Sequence, residues 1–222
     1  MLILYQYASR SRPERFFTGL DNILSLQQDK ENFRIQCVLD EDDATVDYAF
    51  LDRAQRYAEQ NEGKIIWNFG HSTGKIHAIN RQLPELPWDI LINFSDDMKF
   101  IRPAFDEIIR SAFEIHGLDT FMHFPDQDTK DILCTMSIMG RPYYERDRYI
   151  YHPAYKSLWA DNHAMAVAKL RGCYQFDPCR LYDHLLPAMG HLPRDPLFEY
   201  EQGFWPEDER TFRAFELRNF DL

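Results

Sequence analysis

Ser95-Asp96-Asp97, Asp40-Glu41-Asp42-Asp43 and Ser9-Arg10-Ser11-Arg12 each follow a short apolar run in the chain. Together they supply several carboxylates and two arginines. Gathered in one pocket, the acids would repel one another unless a divalent cation sat among them, and oxygen ligands of this kind suit Mg2+ or Mn2+. The arginines offer forked donors for oxyanions. Each cluster also has a plainer explanation. Polar loops begin where strands end, Asp96 and Asp97 can cap a following helix, and either arginine can serve the surface.

The elements that must position these clusters alternate between strand and helix. Leu2 to Tyr7 is an apolar run that predicts a first strand. Ser11-Arg12-Pro13-Glu14 then predicts a helix start, with Ser11 as cap, Pro13 in the first turn and Glu14 completing a capping box. Phe16, Phe17, Leu20, Ile23 and Leu24 follow at helical spacing. Phe33 to Leu39 predicts a second strand, and Val46, Ala49, Phe50, Ala54 and Tyr57 one face of a second helix. Lys64 to Phe69 predicts a third strand. Ser72 is the expected cap of a helix running to Pro84.

Asp89 to Phe94 is nearly continuous apolar sequence, as in a central strand covered on both faces. Pro103 opens the next predicted helix, with Phe105, Ile108, Ile109, Ala112 and Phe113 on one side and Gly117 past its end. Repeated strand–helix units of this length predict a mainly parallel, doubly wound α/β sheet. Beyond residue 117, Thr120 to Phe124 and Ile132 to Met139 predict strands. Asp161 to Leu170 and Glu207 to Asn219 predict helices around a Pro-rich, acidic stretch. No repeat or linker divides the chain, so one domain over 1–222 is expected.

Composition narrows the chemistry. Of 222 residues, 45 % are hydrophobic and 15 % aromatic, enough for a packed core, and the net charge is −11. That balance argues against a nucleic-acid track or an anionic membrane surface, both of which want a basic face. An anionic nucleotide can still bind if a cation or a local Arg/Lys cluster meets its phosphates. No apolar run approaches the roughly 20 residues of a membrane span, and Met1 to Tyr5 lacks the basic start of a signal peptide. Cys37, Cys134, Cys173 and Cys179 lack zinc-site spacing. They are read as reduced thiols of a cytoplasmic enzyme, with a Cys173–Cys179 disulfide as the alternative.

Four segments, in this order, resemble the GT-A-fold glycosyltransferases, near the group that includes bacterial polysaccharide-synthesising enzymes. Tyr7-Ala8-Ser9-Arg10-Ser11-Arg12-Pro13 resembles the family's first strand and nucleotide loop. Gly74-Lys75-Ile76-His77-Ala78-Ile79-Asn80 resembles its helix beside the nucleotide. Phe94-Ser95-Asp96-Asp97-Met98 resembles its metal motif, with Ser95 departing from the frequent Asp-x-Asp. Asp161-Asn162-His163 resembles its acceptor-side acidic motif.

The resemblance implies a single GT-A (Rossmann-like) domain, with residues 1–117 binding the nucleotide-sugar and 118–222 the acceptor. It implies transfer of a sugar from a nucleotide-diphospho-sugar, a UDP-sugar foremost, to a saccharide or other hydroxyl acceptor, with Mn2+ or Mg2+ as cofactor. Asp97 is then the metal ligand, and Asp96 holds the ribose hydroxyls or a second metal position. Ser9, Arg10, Arg12 and Lys75 surround the nucleotide, although Lys75 also reads as an exposed helix lysine. Asp40 accepts from the base. Asp161 is the general base toward the acceptor. A histidine near the C-terminal end completes the metal shell, with His184 preferred over His191 and His152. The aromatics Tyr143, Tyr144, Tyr149, Tyr151, Tyr155 and Trp159 either stack on acceptor sugars or fill the core. Two other functions remain: a sugar nucleotidyltransferase, disfavoured by the lack of glycine at Ser9 to Arg12, and a binding protein that transfers nothing.

Overall fold

In the computed structural model, which describes residues 1–222, strands β1 (Ile3–Ala8), β2 (Phe33–Asp40), β3 (Ile65–Gly70) and β4 (Ile90–Ser95) form one parallel block. Three helices intervene: α1 (Pro13–Leu26), α2 (Tyr48–Gln60) and the short α3 (Lys75–Ile79). After β4 come β5 (Met98–Phe100), α4 (Phe105–His116), β6 (Phe121–His123), β7 (Ile138–Gly140), α5 (Arg141–Tyr144), α6 (Ala160–Leu170), β8 (Tyr174–Phe176) and β9 (Tyr182–His184). The chain closes with α7 (Pro196–Gln202) and α8 (Trp205–Leu217). The main sheet has the order β3-β2-β1-β4-β7-β6-β8, with β5 and β9 as a separate antiparallel pair. Only β7 runs against its neighbours, pairing antiparallel with β4 and β6.

Period-two alternation assigns the faces of the central strands. Ile3, Tyr5 and Tyr7 of β1 join one core with Phe16, Phe17, Leu20 and Phe105 from α1 and α4. Leu4 joins the opposite core with Ile76, Ala160 and Phe212, from α3, α6 and α8. Both faces are covered, which is why β1 and β4 read as nearly continuous apolar runs.

On the second face the register places Gln6 beside both Gln36 and Asn93, a buried polar row across three strands. Gln6 Nε2 donates to the carbonyls of Ile79 and Arg81, and Gln36 Nε2 to that of Gln82. These bonds take carbonyls that a longer helix would need. The expected helix to Pro84 is therefore the five-residue α3.

Other expectations shift for equally local reasons. Ser11 is not the α1 cap: it sits at φ 60, its N–H donates to Asp43, and Arg12 occupies the cap position without a side-chain bond. Ser72 caps nothing, because its hydroxyl is engaged by Arg81. Asp96 and Asp97 lead into β5 rather than a helix, which removes their helix-capping reading. The strand expected from Ile132 shrinks to Ile138–Gly140, since Asp126 accepts from the Asp128 and Thr129 N–H groups and the Thr135 hydroxyl and so ties residues 126–135 into a loop. All four cysteines are free thiols. No helix is long and apolar enough to cross a membrane.

Candidate active site

At the carboxyl ends of the strands, β1 and β4 finish level, Ala8 opposite Ser95, and β2 runs two residues past Val38, the partner of Ala8, to end at Asp40. This is where open parallel sheets bind ligands. A cleft of about 720 Å3 opens there, lined by Ser9, Arg10, Arg12, Asp40, Lys75, Asp96, Asp97, Asp161 and His184 among others. The nine residues given catalytic, nucleotide or preferred metal roles in the sequence all border this cleft.

Ser11, in the left-handed region, turns the first loop so that its two arginines diverge. Arg10 bonds Asp40 and Asp42 at 3.0 and 2.7 Å. Arg12 reaches Asp96 at 3.1 Å and grips Asp195 with two nitrogens at 2.8 and 2.9 Å. Asp96 also accepts from Ser9 Oγ at 2.6 Å. Burial and the neighbouring Asp97 push its carboxyl up to about 6.

Asp97 behaves in the opposite sense. Burial alone would raise it, but His184, Lys75 and the Ser95 hydroxyl outweigh that and hold it far below the usual carboxylate range. His184 lies opposite Met98 in the β5–β9 ladder, which brings Nε2 within 3.6 Å of Asp97 Oδ1. The other histidine candidates are elsewhere: His191 bonds Asp128 at 2.8 Å, and His152 packs on His163 and Phe215.

Asp161, in the first turn of α6, is half-buried, and desolvation raises its pKa. It feels the same Lys75 and His184 that act on Asp97. Lys75 is exposed and, unlike Arg10 and Arg12, forms no ion pair. Asn80 instead clamps the aromatic segment, accepting from the N–H of Ile150 and Tyr151 and donating to the Tyr151 carbonyl. Tyr143, Tyr151 and Tyr155 belong to the core, while Tyr151 and Trp159 also border the cleft.

Several residues around the site have no local signal in the sequence. Arg81 bonds Asp40 at 2.5 Å and the carbonyls of Leu39 and Asn68, tying the ends of β2 and β3 together. Asp126, fully buried, stands 4.0 Å from His184 Nδ1. Gln127 exchanges two hydrogen bonds with the His184 backbone. The C-terminal segment supplies one wall, including Leu197, Phe198, Tyr200, Glu201 and Trp205.

The arrangement suits a divalent ion. Ligands of one octahedral ion at about 2.1 Å lie about 3 Å apart, close to the Asp97–His184 separation. No group of three or more His, Cys, Asp or Glu is placed to hold a metal ion.

No family model matches the chain, and no curated protein sequence does either. Solved structures do. S. aureus TarS 1-349 matches at TM-score 0.65 with 14 % identity, over 82 % of this chain and 60 % of TarS 1-349. The chain thus spans less than two thirds of that relative. Matching TarS structures include complexes with UDP-GlcNAc and with UDP. The mannosyltransferase PcManGT from Pyrobaculum calidifontis, in complex with GDP-Man and Mn2+, matches at TM-score 0.60 with 14 % identity, over 96 % of this chain and 73 % of that one.

The chain has the GT-A fold. A cytidylyltransferase from Leptospira borgpetersenii shares the architecture at TM-score 0.50 and 13 % identity, over 81 % of this chain and 76 % of that one. The GT-A fold therefore does not by itself choose between sugar transfer and nucleotidyl transfer. The cleft residues must.

Proposed function

We propose that this protein is a glycosyltransferase that moves a sugar from a nucleotide-diphospho-sugar, a UDP-sugar foremost, to a hydroxyl acceptor, using Mn2+ or Mg2+. The observation that carries the reading is the pairing of Asp97 with His184 at 3.6 Å, on the same cleft as Lys75 and Asp161. Asp97 and His184 would hold the ion. A divalent cation there supplies Lewis-acid stabilisation of negative charge on the leaving diphosphate.

The chain's own groups do the rest. Lys75, unpaired and facing the cleft, attracts the diphosphate. Ser9 and Arg12 hold Asp96 in place, and Asp40 is oriented by Arg10 and Arg81 to accept from the nucleoside. Asp161 is the base. The acceptor oxygen attacks the anomeric carbon, its proton passes to Asp161, and the bond to the diphosphate breaks with its electron pair staying on the phosphate oxygen. Burial of Asp161 raises its proton affinity, which suits it to that transfer. The absence of glycine from Ser9 to Arg12 speaks against nucleotidyl transfer. The free thiols accord with a reducing compartment such as the cytoplasm.

Thermal unfolding with UDP, with and without Mn2+, tests this. At 100 times Kd a ligand adds about 2.7 kcal/mol, which for a domain of this size raises Tm by roughly 5 to 10 °C. Asp97→Ala should remove the Mn2+-dependent part. Equal shifts in the variant and the native protein, or no shift in either, would sink the reading. Mn2+-dependent release of UDP from a UDP-sugar separates an enzyme from a pure binding protein.

A further inference from the structure

Eight buried side-chain polar atoms lack a hydrogen-bond partner, and five of them belong to residues that border the one cleft: Asn93 Oδ1, Ser157 Oγ, Trp159 Nε1, His184 Nδ1 and Glu201 Oε2. Buried polar groups are normally paired, so this concentration points to a polar ligand. Three of the five, Ser157, Trp159 and Glu201, come from the segment before α6 and from α7, and none belongs to the cluster around Asp97.

The segment before α6 is held firmly. The buried Asp208 carboxylate accepts from the N–H groups of Lys156, Ser157 and Leu158 at 2.9, 2.9 and 2.8 Å, pinning this stretch to α8. Ser157 is only 6 % exposed. Trp159, in the left-handed region at φ 61, meets Trp205 edge-on at 5.5 Å. Trp205 borders the cleft and is 47 % exposed, so a large aromatic surface is available to a ligand. Two residues past Trp159 stands Asp161.

Charge limits what can bind there. Six Asp and Glu line the cleft against three Arg and Lys. Arg10 and Arg12 are already paired with carboxylates. Lys75 is the one lining Arg or Lys without such a partner, and a diphosphate would claim it. A second anion would meet net negative charge with no cation to spare.

We propose that Ser157, Trp159, Glu201 and Trp205 form a subsite for an uncharged, polyhydroxylated acceptor, a neutral saccharide rather than a phosphorylated or carboxylated one. This rests on the glycosyltransferase reading above. Glu201 accepts from a sugar hydroxyl, and the Trp159 indole N–H and Ser157 hydroxyl, closed off in this structure, pair with the sugar once a small shift of this wall uncovers them. The C–H face of the ring lies on Trp205.

The test uses the full chain saturated with UDP and Mn2+, with ligand binding read by saturation-transfer NMR and tryptophan fluorescence. One probe panel is neutral: tetrasaccharides of glucan, mannan, galactan and chitin type. The other is anionic: 3-phosphoglycerate, trigalacturonate and glycerol-phosphate oligomers. At least one neutral probe should bind more tightly than every anionic one. Trp205→Ala should weaken it about tenfold and Glu201→Gln several-fold, Trp205→Phe should restore most of the loss, and UDP affinity should stay within about twofold. A silent neutral panel, tighter binding of an anionic probe, or indifference to both Trp205→Ala and Glu201→Gln overturns the proposal. If UDP itself fails to bind, the glycosyltransferase reading falls; if UDP binds and neutral sugars do not, only the subsite does.

Discussion

Replacing His163 should flatten the acid limb of the stability curve by a calculable amount. His163 is 3 % exposed, its Nδ1 lies 3.0 Å from the Tyr155 hydroxyl, and His152, Phe215 and Phe220 surround its ring. Burial first, and then the neighbouring His152, lower its pKa from 6.5 to about 4. A depressed folded-state pKa means the unfolded chain binds the proton more readily. The group's contribution is therefore intact above about pH 6.5 and is lost as pH falls toward 4.

At pH 4.5 the unfolded form gains a factor of order a hundred, about 2 to 3 kcal/mol relative to neutral pH. Asp96, raised to about 6, contributes with the opposite sign over part of this range, so the native curve alone mixes several groups. The difference between proteins isolates one. Urea unfolding of the native chain and His163→Phe at pH 7.5 and 4.5 should give a stability gap that moves by about 2 to 3 kcal/mol in the variant's favour at the lower pH. His163→Gln serves if the phenylalanine overpacks. Parallel curves for native and variant would refute the reasoning, because they would mean that His163 titrates alike in both states.

A Cβ at Gly140 would sit 1.9 Å from the Leu118 carbonyl oxygen, so Gly140→Ala should cost about 3 kcal/mol or more in denaturant unfolding. Arg81→Met leaves the buried Asp40 with Arg10 alone and strips two strand-end carbonyls of a donor, and a loss of about 3 kcal/mol is expected by the same measurement. Lys75→Ala should leave Tm unchanged, since the side chain is exposed and unpaired, while weakening UDP about tenfold by calorimetry.

What the sequence made legible were features of its own neighbourhood. β1, β2 and β4 announce themselves as apolar runs, and their polar ends point to the cleft because strand ends and loop starts coincide. The limits of α3 and the loop before β7 were hidden. One is set by Gln6 and Gln36, some 70 and 40 residues upstream, and the other by hydrogen bonds to Asp126 that any acid in a loop could have made. α7 lay in the Pro-rich, acidic stretch to which no element was assigned, and Pro196 opens it with Asp195 as cap.

The same distinction runs through the site. Asp96, Asp97 and Asp161 follow from strand-end and helix-start positions, whereas the groups that tune them arrive from far along the chain. Arg12 meets Asp195 across 183 residues, and Gln127 fixes the His184 backbone across 57. Asp195 also caps α7, so one carboxylate joins the first loop to the C-terminal wall. That wall carries Glu201 and leads into Trp205. The first loop and the proposed acceptor subsite are thus joined through Arg12 and Asp195, and under the proposed function a shift of Arg12 on diphosphate binding would reach that subsite.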